Sequence, residues 1–205
     1  MKLLYQTHSP YARQVLVLAY EIGLADRLAV IHHETSPTRR NDAVFAVNPL
    51  GKVPVLVLDD GVVLFDSAVI CDYLDGLHSG TRLIPPSGLA RWLALRLQAV
   101  AHGIADAGGA VRQETERRPE PYRYPAMRDG QAQKLIAAYD FLEQKSALDG
   151  PLDIGQIALA CALGWIEFRH LPGFRDGRPR LASWYDRFAK RPSMLATPLS
   201  GEVVD

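Results

Sequence analysis

The chain has two cysteines in 205 residues, no surplus of charge of either sign, and no apolar run near the ~20 residues of a membrane span. Each of these absences excludes something. Cys71 and Cys161 lie far apart inside helical patterns, so they read as buried, reduced thiols rather than a disulfide frame. A cytoplasmic protein is the simplest inference. Lys plus Arg equals Asp plus Glu, 23 of each, so no overall field attracts phosphate. That argues against nucleic acid as the main partner. The opening Met1-Lys2-Leu3-Leu4-Tyr5 is too short and too soon interrupted for a signal peptide, and reads as a strand. There is no metal-ligand spacing, no phosphate-cradling loop, no nucleophile elbow, no internal repeat and no low-complexity tract. With 48% apolar residues, the length suffices for one large domain or two small ones, each with a core.

The first 77 residues alternate short β-like runs with helical patterns. Lys2 to Tyr5 is a strand. Pro10 to Ile22 is a helix, with Ser9 at the N-cap, Pro10 in the first turn and Gly23 as the stop. Arg27 to His32 is a second strand, and Thr38 to Val47 a short irregular helix. Val53 to Leu58 and Val62 to Phe65 are strands joined by the hairpin signal Asp59-Asp60-Gly61. Ser67 to Leu77 is a helix. The order β-α-β-α-β-β-α implies a right-handed βαβ unit followed by a hairpin, hence a four-stranded mixed sheet with helices packed on it. From His78 to Gly88 the composition shifts to Gly, Pro and Ser, and the segment reads as a linker. Beyond it everything is helix or loop. Leu89 to Arg117 is one long helix, Arg118 to Tyr124 a break with two prolines, Met127 to Leu148 a second helix and Leu181 to Lys190 another. The clearest local signal is a capping box, with Asp153 as N-cap, Gln156 three residues on, and Leu152 and Ile157 as a hydrophobic staple. The apolar run Ala158 to Leu163 that follows belongs at the centre of a bundle.

The motif with chemical content is Asn48-Pro49-Leu50-Gly51-Lys52-Val53-Pro54-Val55-Leu56, followed by Asp66-Ser67-Ala68. A Val-Pro bond just before an apolar strand is a candidate cis turn, which would turn the Val53 backbone outward to pair with an extended peptide. The helix opening after Asp66 offers free N–H groups to a carboxylate, and Asp66 can receive an ammonium group. A ligand with an α-amine and an α-carboxylate on a short backbone fits, and glutathione is such a ligand.

Taken together, these residues resemble the soluble glutathione S-transferases over essentially the whole chain. Val53-Pro54 is similar to the family's cis-proline, and Asp66-Ser67 to its γ-glutamyl site. The Asp153 to Gln156 cap resembles the family's capping box, which is normally Ser or Thr followed by Asp. The Thr-x-Ser-Pro start looks closest to a bacterial Ser-type subgroup. The resemblance implies a thioredoxin-like N-terminal domain (residues 1–77), a linker (78–87) and an all-helical C-terminal domain (88–205). It also implies a homodimer with its active site near the dimer cleft, and glutathione as co-substrate with no metal. Lys52 is then the charge partner of the glycyl carboxylate and Val53 a backbone partner beside Pro54. Arg39 sits where some relatives place a second basic group, though a solvated Arg39-Arg40 pair is the other reading.

Such an enzyme must hold glutathione as a thiolate. A free thiol has a pKa near about 8.5. Lowering it by two units takes about 2.7 kcal/mol of preferential anion stabilisation. A hydroxyl donor and the positive end of a helix can supply this. Ser9 is placed for both, and also reads as a plain helix cap. Thr7 and Tyr5 are lesser candidates, and His8 reads as an exposed, isolated histidine. The family's cysteine-dependent branches place a Cys at this point, and Ser9-Pro10-Tyr11 has none, which disfavours thioltransferase chemistry. Conjugation to an electrophile or reduction of a peroxide remains. Candidates for the second-substrate pocket are Tyr11, His102, Ala105, Asp106, Arg112, Trp165 and Phe168, with core packing or solvation as the competing role of each. Arg112 with Arg117 and Arg118 would favour an anionic substrate or would be a solvated helix end. The alternative to an enzyme is a non-catalytic adaptor or ligand-binding protein on the same fold.

Overall fold

The computed structural model describes residues 1–145 and 148–201. Strand β1 (Lys2–Tyr5) leads through a tight turn into α1 (Pro10–Glu21), and β2 (Ala29–His32) returns parallel to β1. After α2 (Asp42–Phe45), β3 (Val55–Val57) and β4 (Val63–Leu64) complete a mixed sheet in the order β2-β1-β3-β4. Helix α3 (Ser67–Asp75) then packs beside α1. The expected element order and sheet type are both present. The elements are shorter than expected where polar residues intervene. A single 3-10 turn occupies Ala25–Arg27, so β2 begins two residues later than Arg27, and the Thr38 to Val47 helix shrinks to α2. Asn41 ends the extended stretch by accepting a hydrogen bond from the Val44 N–H at 3.3 Å.

The helical half comprises α4 (Gly88–Arg112), α5 (Pro125–Lys145), α6 (Ile154–Phe168), α7 (Pro179–Phe188) and the single turn α8 (Pro192–Leu195). The long helix expected to reach Arg117 stops at Arg112 and widens into a π turn over Gln113–Arg117. The expected continuation of α5 to Leu148 crosses residues 146 and 147, which lie outside the described residues. Every residue of α6 from Ile154 to Ile166 is buried, as its all-round apolar pattern requires. The capping box is complete: Asp153 Oδ1 accepts from the Gln156 N–H at 3.0 Å, and Gln156 Oε1 accepts from the Asp153 N–H at 3.3 Å. Helices α4 and α6 run side by side in the same direction, with Gly155 against Ala94 and Leu97, and Gly108 against Trp165 and Ile166. Both cysteines are buried and unbridged.

The segment read as a linker is tied down. The Asp75 side chain, fully buried at the end of α3, accepts from the backbone N–H groups of Leu83 and Ile84, both at 2.9 Å, and from Arg82 Nε at 2.8 Å. Burial works to raise the Asp75 pKa, yet Arg82 and these backbone donors hold it below the ordinary carboxylate range. One buried carboxylate therefore joins the sheet half to the start of the helical half. We expect Asp75→Asn to cost about 3 kcal/mol in urea unfolding, because the donors aimed at a charge lose it. A depressed carboxyl pKa contributes stability above its unfolded value and loses it as pH falls through its folded value. The wild-type chain should therefore lose more stability than Asp75→Asn on acidification below the carboxylate range.

Candidate active site

The sheet register gathers the motifs. Leu4 lies opposite Val55 on one side of β3, and Leu56 opposite Leu64 on the other. Extending both antiparallel ladders carries the chain after Tyr5, the turn before Val55 and the chain after Leu64 to the same end of the sheet. The Ser9 turn, the Val53-Pro54 turn and Asp66-Ser67 therefore share one end. The Val53-Pro54 bond is cis, as expected. Val53 precedes β3 and lies outside its ladder, its side chain buried with Leu4, Val44 and Val55. Lys52 and Arg39 are exposed on the neighbouring loops, and the Lys52 carbonyl accepts from Asn48 Nδ2 at 2.9 Å.

Ser9 is the N-cap of α1, with its Oγ accepting from the Ala12 N–H at 3.2 Å. Accepting that bond uses a lone pair and leaves the hydroxyl proton to donate elsewhere. Asp66 caps α3 in the same way, accepting from the Ala68 N–H at 3.0 Å, and Ser67 is buried in the first turn. Two helix N-termini thus open toward one end of the sheet, each with its positive dipole end. Tyr5 is buried, and burial pushes its hydroxyl up to about 12. Burial also raises both thiols, Cys161 to about 12, so neither cysteine supplies a thiolate.

His8 is not exposed. Its ring is buried in the turn, with Gln6 Nε2 donating to its Nε2 at 2.7 Å and Glu34 Oε2 at 3.7 Å. A histidine between Thr and Ser carries no sequence signal of such partners, because the turn after β1 folds Gln6 onto it and the fold brings in Glu34.

Between the two halves, side chains of α1 meet those of α4. The Tyr11 hydroxyl donates to Asp106, and the Tyr11 ring meets the edge of His102 with centroids 5.4 Å apart. His102 Nε2 donates to Gln14 Oε1 at 2.8 Å, and Gln14 Nε2 in turn donates to Cys71 Sγ at 3.6 Å. Burial lowers the His102 pKa, while Asp66 and Asp106 oppose that shift. Burial and the Asp106 hydrogen bond raise that of Tyr11. Of the expected pocket residues, Tyr11, His102 and Asp106 are therefore brought together. Gln14, which fixes the orientation of the histidine, was missed because its amide gives no pattern in a helix.

The remaining candidates are placed differently. Arg112 is buried, with Nε donating to Glu116 at 2.7 Å, rather than at a solvated helix end. It lies four residues after Gly108, on the α4 face that meets α6. Trp165 is buried against Gly108, and Ala105 is buried as well. Phe168 packs against the core beside the Arg169 guanidinium. Trp165 and Phe168 stand on α6 rather than on α4, while Ala105, three residues after His102, is a buried residue bordering the face that His102 and Asp106 share. Among the described residues, no group of three or more His, Cys, Asp or Glu side chains is placed to hold a metal ion, and no helix is long and apolar enough to cross a membrane.

Known proteins resemble the chain over most of its length. Residues 8–77 match the glutathione S-transferase N-terminal domain and residues 112–187 the C-terminal domain. The GST-like protein YibF of Escherichia coli K12 is 31% identical over 204 residues, which is 96% of this chain and 98% of that protein. The chain belongs to the glutathione S-transferase family. A crystal structure of a glutathione transferase family member from Pseudomonas fluorescens Pf-5, with bound glutathione, superimposes with a TM-score of 0.94 at 44% identity, covering 98% of this chain and 99% of that one. A second structure from that organism holds bound S-(propanoic acid)-glutathione, with a TM-score of 0.89 at 43% identity over 98% and 100% of the two chains. The fold is thus that of the glutathione S-transferases, with a thioredoxin-like sheet half and a helical half.

The electrostatics around His102 give a direct check. In an NMR titration, His102 should protonate below the ordinary histidine value of about 6.5, since burial outweighs the two carboxylates. A midpoint at or above that value would mean that Asp66 and Asp106 dominate.

Proposed function

We propose that this chain is a glutathione transferase of the Ser-type, binding glutathione at the shared end of the sheet. The observation that carries the reading is the convergence of two helix N-termini and the cis-proline turn on one spot. In this reading Val53 pairs with the cysteinyl backbone and Pro54 shapes the turn. Asp66 and Ser67 take the γ-glutamyl ammonium and carboxylate, and Lys52 with Arg39 takes the glycyl carboxylate. Ser9 donates its hydroxyl proton to the sulfur at the positive end of α1. The glutathione bound in the Pseudomonas fluorescens relative supports the ligand, and the conjugate in the second structure supports sulfur as the reacting atom.

The second substrate is a small electrophile, or a hydroperoxide reduced by the same thiolate. It enters beside Tyr11, His102 and Asp106, where α1 and α4 face each other. The chain works in the cytoplasm as two domains, residues 1–77 and 88–205 joined by 78–87, and as a homodimer. Leu89, Trp92 and Leu93 support the dimer, because they form an exposed apolar stripe at helical spacing at the start of α4. Trp92→Glu should give a monomer in sedimentation velocity where the wild-type chain gives a dimer.

Calorimetry tests the site. Glutathione should bind at micromolar to millimolar concentration, and Ser67→Ala and Asp66→Ala should each weaken it about tenfold. Ser9→Ala should lower turnover about 100-fold, as removal of one oxyanion donor does. Loss of its cap should separately cost about 1 kcal/mol of stability. Undiminished turnover in Ser9→Ala removes Ser9 from the mechanism. No binding at several millimolar glutathione makes the motif structural and favours a non-catalytic binding protein.

A further inference from the structure

Past α7 the chain runs antiparallel along the whole of α1, stitched to it at three levels. At the end of α1, Glu21 accepts from Arg191 Nε and Nη2 at 2.8 and 2.7 Å and from Ser193 Oγ at 2.5 Å. At its middle, the buried Arg13 donates through Nη2 to the Met194 carbonyl at 3.0 Å and through Nε to Thr197 Oγ1 at 3.4 Å. Before its start, Thr7 Oγ1 donates to the Ser200 carbonyl at 2.8 Å, and the Ser200 N–H donates back to the Thr7 carbonyl at 3.3 Å. Gly201 follows with φ of +113°, and a Cβ there would meet His8 Nδ1 at 2.6 Å.

Thr7 and His8 are the two residues before Ser9. Within the turn itself, one backbone bond spans them, from the Ser9 N–H to the Gln6 carbonyl at 3.0 Å. The segment 193–201 adds two more bonds and a close contact that only glycine can make. We infer that Ser200–Gly201 is a clamp that holds the Thr7–Ser9 turn where the glutathione sulfur needs it, making Thr7 and Gly201 positioning residues. The inference rests on the reading of Ser9 as the thiolate partner. A shift of the turn moves the Ser9 hydroxyl and the first N–H groups of α1 together. The Val53, Asp66 and Ser67 contacts stand on other loops and are left in place. The clamp therefore acts on the rate of thiolate attack and not on glutathione affinity. A misplacement of ~1 Å at a reacting group costs up to ~100-fold in rate.

The test is steady-state kinetics of the full chain with glutathione and an activated aryl chloride, alongside calorimetry and thermal unfolding. Gly201→Val and Thr7→Val should each lower kcat about tenfold at a temperature well below unfolding, with the glutathione Kd within about threefold of wild type and a melting midpoint lowered by no more than about 8 °C. Thr7→Ser, which keeps the hydroxyl, should restore the rate. The double variant should be no slower than about tenfold, because both substitutions open one clamp. Leu195→Ala, exposed in the same segment, should match wild type. The clamp is overturned if Gly201→Val and Thr7→Val keep their kcat, if their losses multiply, or if the change falls on glutathione binding. A wild-type chain that fails to bind or to activate glutathione overturns the reading of the site itself, and the clamp with it.

Discussion

Leu4 lies opposite Val55 and Leu56 opposite Leu64, and these two pairings bring three separate loops to one end of a small sheet. A one-residue slip in either ladder would reverse which side chains face the core and would move Pro54 or Asp66 away from the Ser9 turn. The register is held by burial: Leu3 and Leu56 are fully buried on one face of the sheet, and Val44 and Val55 in the cluster on the other. The apolar alternation that makes the strands thus also sets the spacing of the site.

The second half of the molecule is attached to this sheet by polar contacts, most of them buried. Asp75 gathers the chain around Leu83 and Ile84, and Arg13 gathers the turn at Met194 and Thr197. Gln14 links Cys71 to His102, and Tyr11 reaches Asp106. Buried polar groups are costly unless satisfied, so each of the buried contacts fixes one relative placement of the elements it joins. Helix α1 takes part in all but the first of these links. It carries the thiolate end of the proposed site at its N-terminus and, in its first turns, Tyr11 and Gln14, which meet Asp106 and His102 of α4. Its remaining surface is committed to α3, α6 and the returning segment.

Much of this was legible in the sequence because local rules and tertiary packing agree. The Ser9-Pro10 start, the Asp59-Asp60-Gly61 hairpin and the Asp153 to Gln156 capping box each satisfy backbone groups within a few residues, so each shows up as a short motif. The cis-proline turn and Asp66-Ser67 were legible for the same reason. What the sequence did not show depends on backbone turns and tertiary contacts that no local pattern announces. His8 reads as exposed until Gln6 and Glu34 close around it. Arg112 reads as a solvated helix end until the π turn brings Glu116 back to it. The segment after α7 is too short and irregular for any periodicity, yet it spans α1 from Glu21 to Thr7. Trp165 and Phe168 read as pocket candidates with core packing as the competing role; the close approach of α4 and α6 at Gly108 buries Trp165, and Phe168 packs half-buried against the core.

The central claim is that the start of α1 holds glutathione as a thiolate through the Ser9 hydroxyl and the helix N-terminus. The most direct measurement is the ultraviolet absorbance of enzyme-bound glutathione followed against pH, in the wild-type chain and in Ser9→Ala. The account predicts that the bound thiol ionises about two units below the free value of about 8.5, and that most of this displacement is lost in the variant. A bound thiol that ionises with free glutathione, or a displacement that survives in Ser9→Ala, would contradict it.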